Sequence, residues 1–371
     1  MPDLFVFGTL CHSPLLSIVL GRDPVCLPAT LDGFAVGCDS GAPAETVLRP
    51  EAGAKAEGLL IPDVPEDELA RLDYWLAGTA DGFRELDVRL GKGTLRALVA
   101  VTDPVPEAAP FSREGWAAEW GELACATARE VMARFGKAPR DETAALRSFI
   151  AARAWAQILA QDSAPHTLRS GRGRDTVELV RERPGFEGFF RMRAFDLRHQ
   201  RFDGAMSETF GRESFVTYDA ALVLPYDPET DRVLLVEQLR YGTYMRGDPF
   251  PSVLEPPAGL VDAGETPETC ALREAREEAG LDIRELRPIM GGYASPGYTT
   301  EFYHCFLGIC SLSAADNGLS GLDEEHEDIR NHVISFDHAM ALVDSGEINV
   351  VPLAGMLLWL ARHRDAIRAQ S

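Results

Sequence analysis

Apolar residues run or alternate over residues 4–10 and end in Gly8-Thr9-Leu10, which predicts a strand entering a tight turn. Shorter runs at Thr46–Leu48, Ala56–Ile61, Arg84–Leu90 and Thr94–Val101 predict further strands. Between them Leu69, Leu72 and Leu76 recur on one helical stripe, so Pro65–Leu76 reads as a helix. Two longer helical patterns, about 114–135 and 141–161, close this region. The stretch Gln161–Asp175 is polar, contains Pro and Gly, and lacks periodicity, as a linker does. Beyond it, strands are expected at 176–182, 189–198 and 214–224, then a turn at Tyr226–Asp231 and a strand at Val233–Glu237. Strands at 287–294 and 301–309 and helices near 335–345 and 351–364 complete the pattern. The chain therefore reads as α+β, with domains at 1–163 and 176–371 joined by a linker at 164–175. In the second domain the order gives a mixed sheet between helices, an α/β/α sandwich.

The most densely patterned stretch is GLVDAGETPETCALREAREEAGL, from Gly259 to Leu281. Thr266 suits a helix N-cap, Pro267 the first helical position, and Gly280 a left-handed C-terminal cap. Glu274 and Glu278 lie four apart and Glu277 three from Glu274, so the carboxylates crowd one face, while Leu272, Ala275 and Ala279 are expected to pack on another. Like charges at that spacing destabilise a helix by about 0.2–0.5 kcal/mol per pair, with Arg273, Arg276 and Glu265 only partly changing the sum. Two readings follow: a solvated acidic face, or a seat for a hard divalent cation. Magnesium accepts carboxylate, carbonyl and water oxygens and keeps positions open for substrate phosphates. In Glu255-Pro256-Pro257-Ala258-Gly259 the prolines stiffen the approach to a glycine that lets the backbone come close, so the Ala258 carbonyl is a candidate ligand. The acidic run Asp323–Asp328, before Ile329-Arg330, is either a solvated loop or a further source of acids.

Composition narrows the partners. At 371 residues, 46% of them hydrophobic, the chain can bury two cores. A formal net charge of -22 argues against a nucleic-acid backbone or an anionic membrane as main partner. The seven cysteines are odd in number and lack paired spacing, so they read as reduced thiols. No apolar run matches a signal peptide or a membrane span, and a cytoplasmic protein is expected.

The acidic stretch resembles the signature of the Nudix hydrolases at every fixed position. Gly259 is followed after five residues by Glu265, then after seven by Arg273-Glu274-Ala275, and finally by Glu277-Glu278, Gly280 and Leu281. From about Gly188 to Arg364 the chain is similar to the bacterial ADP-ribose pyrophosphatases of that family. The pieces that match include Gly188-Phe189-Phe190, Arg198-His199-Gln200, Arg212-Glu213, Glu237-Gln238-Leu239-Arg240, Ser295-Pro296-Gly297 with Thr300-Glu301, and Glu327-Asp328-Ile329-Arg330. Pro296, fifteen residues past the signature, marks ADP-ribose preference in that subfamily. The resemblance implies hydrolysis of ADP-ribose, a small nucleoside diphosphate sugar, to AMP and ribose 5-phosphate. It implies that Glu274, Glu278, Glu327 and the Ala258 carbonyl hold two or three Mg²⁺ ions, with Mn²⁺ as the alternative. Glu277 would support them and Glu325 would be the general base. Arg240 would clamp a phosphate; Phe189 and Phe190 would contact adenine and Arg212 and Glu213 orient it. Leu260, Ser295, Pro296, Gly297 and Glu301 would line the ribose and diphosphate. A homodimer built from residues near 176–215 is also implied. Thr217 departs from the pattern, since relatives often carry a basic substrate contact there.

At the other end, Phe7-Gly8-Thr9-Leu10 resembles the loop that opens the γ-glutamylcyclotransferase-like fold, a small β-barrel with helices whose loop amides bind a carboxylate. Leu72-Asp73-Tyr74-Trp75 matches the segment before that family's catalytic glutamate, but Leu76 stands in the glutamate's place, and a leucine cannot move a proton. Cyclotransferase activity would need Glu85 or another acid in the pocket. Fusions of this fold with a Nudix domain have been labelled tellurium-resistance proteins. The alternatives to a single hydrolase are a bifunctional enzyme and a sensor that binds a nucleotide or γ-glutamyl ligand without turnover.

Overall fold

The computed structural model describes residues 1–38, 45–80, 82–101, 109–161, 167–313, 317–322 and 327–370. Its contacts divide the chain into two units, Met1–Ala164 and Pro165–Ser371.

The first unit begins with β1 (Leu4–Phe7), α1 (Ser13–Leu20), β2 (Leu27–Cys38) and β3 (Thr46–Ile61). It continues through α2 (Glu66–Trp75), β4 (Phe83–Leu90), β5 (Gly93–Ala100) and the short β6 (Ala109–Pro110). Three helices end it: α3 (Arg113–Ala133), α4 (Arg140–Ala145) and α5 (Arg147–Leu159). The strands run in the order β3-β1-β5-β4-β2, and β2 pairs with β3 again, closing a five-stranded barrel. Phe5, Phe7, Leu31, Val88 and Val99 share one core cluster, whereas Leu4 and Val6 join α1 and α3 residues in another. That split is the period-two alternation of β1. Residues 46–61 form one strand rather than the two short ones expected: β2 pairs with it over residues 46–50 and 55–60, and the register shifts across the irregularity between them. The expected strand over 4–10 stops at Phe7, where Gly8–Cys11 turns into a 3-10 helix with Gly8 at φ +58°. A side chain could not be added at Gly8: a Cβ there would lie 2.2 Å from Thr46 Oγ1.

The second unit opens with a three-stranded antiparallel sheet, β7 (Val177–Glu187), β8 (Arg191–His199) and β9 (Phe210–Val216). There follow β10 (Asp219–Asp227), β11 (Arg232–Leu239), α6 (Tyr241–Arg246), β12 (Ser252–Glu255) and β13 (Ala258–Leu260). Next come α7 (Pro267–Ala279), β14 (Glu285–Tyr293), β15 (Phe302–Ile309), β16 (Leu319–Ser320) and β17 (Ile329–Ser335). The helices α8 (Phe336–Ser345) and α9 (Val351–Arg368) complete it. The main sheet runs β14-β15-β10-β11-β17-β16, with β12 on β11 and β13 on β10. It is mixed, since β10 and β15 are parallel and their neighbours antiparallel. Leu222, Leu224, Val233 and Leu235 pack toward α8 and α9, while Leu234 and Val236 pack toward the end of α7. This is the α/β/α sandwich, and it explains why β10 is buried along its whole length. The expected strand 214–224 is two strands, β9 in the small sheet and β10 in the large one, separated at Thr217-Tyr218.

Candidate active site

Helix α7 is capped as its ends require: Thr266 Oγ1 accepts from Thr269 N at 3.1 Å, and Gly280 adopts φ 64°. Its buried face is Cys270, Ala271, Glu274, Ala275, Glu278 and Ala279. Leu272, expected to pack, is 38% exposed, and the buried face belongs to two of the acids instead. What lets carboxylates replace leucine there is the strand beneath. In β13, paired to β10 with Gly259 opposite Ala221, a Cβ on Gly259 would lie 1.8 Å from Glu274 Oε1. The backbone of β13 is a cradle in which only glycine leaves room for the acid. One residue earlier, Ala258 N donates to Glu278 Oε2 at 2.8 Å.

Arg273 ties the remaining acids together. Its Nη1 donates to Glu274 Oε1 at 2.6 Å and Glu277 Oε2 at 3.0 Å, and its Nη2 to Glu265 Oε2 at 3.1 Å and the Leu260 carbonyl at 3.2 Å. Even so, burial pushes Glu274 up to about 7, with Arg273 opposing and Glu277 and Glu327 adding to the rise. Burial likewise pushes Glu278 up to about 8, against the Ala258 N–H and Arg240 and with Glu274 and Glu327. Burial thus favours the protonated form of both acids, and a cation placed beside them would favour the ionised one.

Arg240, at the end of β11, donates through Nε to Glu255 Oε2 at 2.6 Å, and its charge acts on Glu278 and Glu301. Burial raises Glu301, opposed by a hydrogen bond from Tyr303 and by Arg240. Glu327 Oε2 accepts from Leu322 N at 3.2 Å. Glu325 lies outside the described residues. Arg240, Glu237, Gln238, Glu327 and Arg330 face a cavity of about 410 Å³ between the ends of β11 and β17. Among the described residues no three His, Cys, Asp or Glu side chains are gathered as a finished metal cluster. A divalent cation nevertheless fits the chemistry of the donor set, the carboxylates of Glu274 and Glu278 on α7 held against the backbone of β13.

The other expected residues form a second group. Phe189 and Phe190, between β7 and β8, meet edge to face at 4.6 Å, and the Tyr218 hydroxyl donates to the Phe189 carbonyl. Phe190 also meets Phe215 at 5.2 Å. The turn Ser295-Pro296-Gly297 is fastened to the same place, because Phe215 N donates to the Tyr298 carbonyl at 2.7 Å and Tyr298 N to the Ser295 carbonyl at 3.2 Å. Arg212 lies over the Phe210 ring on β9, next to Glu213, and Leu260 ends β13, 36% exposed. Thr217 is buried, and its backbone N–H donates to Thr300 Oγ1 at 2.9 Å. In the sequence pattern Glu255 and Gln238 fall within longer segments without a role of their own, and Tyr303 is not named. Glu255 and Tyr303 are partners of expected residues, Arg240 and Glu301, and Tyr303 stands two positions past Glu301 on β15.

In the first unit, Thr9 N donates to Thr46 Oγ1 at 3.3 Å, so one amide of the Phe7–Leu10 loop is taken by the protein's own hydroxyl. Leu76 packs against the helical core cluster. Glu85 is exposed on β4 and pairs with Arg96 at 3.3 Å.

The family model described as NUDIX domain matches residues 217–353. The chain is 37% identical over 211 residues to an ADP-ribose pyrophosphatase of Escherichia coli K12, spanning 57% of this chain and 98% of that protein. It is 38% identical over 187 residues to an ADP-ribose pyrophosphatase of Haemophilus influenzae, 50% of this chain and 85% of the other. A GDP-mannose pyrophosphatase of Citrobacter koseri is 31% identical over 174 residues, 46% of this chain and 88% of its own length.

Proposed function

This chain belongs to the Nudix hydrolases, and from that premise we propose that it hydrolyses ADP-ribose to AMP and ribose 5-phosphate. The observation that carries the reading is the buried pair Glu274 and Glu278, set on a glycine-lined strand with Arg240 close by. Glu274, Glu278, Glu327 and the Ala258 carbonyl would hold two or three Mg²⁺ ions. Bound there, divalent cations neutralise diphosphate charge and make water more acidic. Arg273 keeps Glu274 and Glu277 in place, and Arg240 clamps a phosphate oxygen from the side of Glu255. Glu325 takes the proton of the attacking water. The Phe189–Phe190 pair stacks on adenine beside Arg212 and Glu213, while Leu260, Ser295, Pro296, Gly297 and Glu301 line the ribose and diphosphate.

The second unit acts as a homodimer through its small sheet, whose Val177, Leu179, Val180 and Phe186 are all exposed. The first unit is an accessory domain of the γ-glutamylcyclotransferase-like kind without that chemistry, a reading supported by its closed barrel, by Leu76 and by the outward Glu85. Incubation of the purified protein with Mg²⁺ and ADP-ribose should release AMP and ribose 5-phosphate in equal amounts, and chelation should stop it. Inertness toward ADP-ribose with turnover of GDP-mannose would overturn the substrate and leave the family standing.

A further inference from the structure

The acids expected to hold metal come from two separate segments: Glu274 and Glu278 ride on α7, whereas Glu327 stands between β16 and β17. The charge of Glu327 acts on both α7 acids with the same sign, as like charges do. Left to themselves, ionised carboxylates on separate segments push those segments apart. An uncharged link can hold them together before a cation arrives.

Ser320 stands where such a link is needed. It ends β16, paired with Ile329 on β17, and its hydroxyl donates to the Glu278 carbonyl in the last turn of α7. Carbonyls of a helix's last turn have no partner within the helix. Those of Ala275 and Arg276 accept from the N–H groups of Leu281 and Gly280, so the serine reaches one that the left-handed cap leaves over. Asn331 Oδ1 lies 3.3 Å from the same hydroxyl, and Asn331 N donates to the Gly318 carbonyl at 2.9 Å, which steadies Ser320 from the β17 side.

From Ser320 the chain runs straight to the neighbours of Glu327. Gly321 takes φ +101°, and a Cβ there would lie 2.8 Å from Glu327 Cβ. Leu322 N donates to Glu327 Oε2 at 3.2 Å, and Glu327 N donates to the Leu322 carbonyl at 3.2 Å. The hydroxyl thus ties the backbone of Glu278 to the short segment that clasps Glu327. Ala279, Leu281 and Ile329 share a core cluster, so apolar packing carries the fold of this corner and the hydroxyl is left to set the spacing.

We propose that Ser320 is a positioning residue whose hydroxyl latches the segment bearing Glu327 to the end of α7, so that the acids of both stand ready for a divalent cation. The inference rests on the reading that Glu274, Glu278 and Glu327 hold the metal, and not on which diphosphate is cleaved. The latch acts on cation binding because the like charges are already held together in the free protein.

The test is calorimetric titration of the full-length protein with Mn²⁺, in the absence of substrate, for the wild type, Ser320→Ala and Ser320→Thr. Metal-free melting temperatures are recorded beside each. Loss of one hydrogen bond should weaken Mn²⁺ binding to Ser320→Ala by about three- to tenfold. Ser320→Thr keeps the hydroxyl and should bind within about twofold of the wild type. The Mg²⁺ concentration for half-maximal turnover of ADP-ribose should rise in Ser320→Ala by the same factor, while KM for ADP-ribose at saturating Mg²⁺ stays within about twofold. A serine with a merely structural role would lower the melting temperature of Ser320→Ala and leave Mn²⁺ affinity unchanged, and that result overturns the proposal, as does equal weakening in Ser320→Ala and Ser320→Thr. Should Ser320→Ala not fold, Ser320→Cys places a weaker donor at the same point, and Mn²⁺ affinity equal to the wild type there would overturn the latch. A wild type that takes up no Mn²⁺ would overturn the metal reading and the latch with it. Mn²⁺ binding in the expected pattern without cleavage of ADP-ribose would overturn the substrate and keep the latch.

Discussion

Glu278 is 2% exposed and carries a carboxyl raised to about 8, so folding favours its protonated form. For a carboxyl whose folded value exceeds its unfolded one, the associated stability is present in full below the unfolded value, 4.5, and is lost as pH rises through about 8. Glu274, raised to about 7, acts in the same direction. Metal-free protein should therefore lose melting temperature as pH climbs from about 4.5 to 8, and Glu278→Gln should flatten the curve. Added Mg²⁺ should restore stability most at the alkaline end, where the acids are ionised and a cation has most to neutralise. The same variant should lose activity by about a hundredfold or more, because several kcal/mol of charge stabilisation go with one ligand. Melting curves across pH, with and without Mg²⁺, check the first part and steady-state rates the second. A flat wild-type curve would contradict the burial argument.

At the level of elements, the site is an agreement between a strand and a helix. β13 can approach α7 only because residue 259 has no side chain, and Gly259→Ala puts a carbon 1.8 Å from a carboxylate oxygen. Something must move, and overpacking of that kind costs about 1–3 kcal/mol. We expect Gly259→Ala to lower the denaturation midpoint by that amount and to cut turnover more than substrate affinity, since Glu274 is displaced while Arg240 and the cavity stay. Denaturant titration and the split between kcat and KM would show it; an unchanged midpoint would contradict the contact. The α7 signature made this meeting readable in advance, because Thr266, Pro267 and Gly280 mark helix ends by local chemistry and the acids by their spacing. Leu272 departs from its expected burial for a related reason: periodicity ranks faces by hydrophobicity, and here the buried face is the one holding acids against backbone. Elsewhere the limits are those of nonlocal pairing. β3 reads as two strands because pairing to β2 lapses over residues 51–54, where the pattern loses its apolar alternation, and β17 is defined by a neighbour ninety-odd residues earlier in the chain, Leu235 opposite His332.

For the whole molecule, association sets apolar area against charge. The β7–β9 sheet exposes Val177, Val180, Leu179 at 52% and Phe186 at 63%, and large apolar residues gathered on one small sheet make it a candidate interface. Each copy, however, carries a formal net charge of -22, so two copies repel. Screening decides how far that repulsion reaches: the Debye length is about 8 Å at 0.15 M salt and 30 Å at 0.01 M. The full-length chain should therefore sediment at roughly twice 40.5 kDa at 0.15 M salt and dissociate more readily as salt falls, the reverse of an assembly held by opposite charges. Leu179→Glu adds charge to the apolar patch and should give a monomer at both salt concentrations. If the small sheet of one copy completes the adenine contacts of the other, that monomer should show a KM for ADP-ribose raised about tenfold, with a smaller change in kcat, because the acids of α7 are untouched. A wild type that is monomeric at 0.15 M salt with full activity would remove both the dimer and the shared site, and Leu179→Glu would then leave KM where it was.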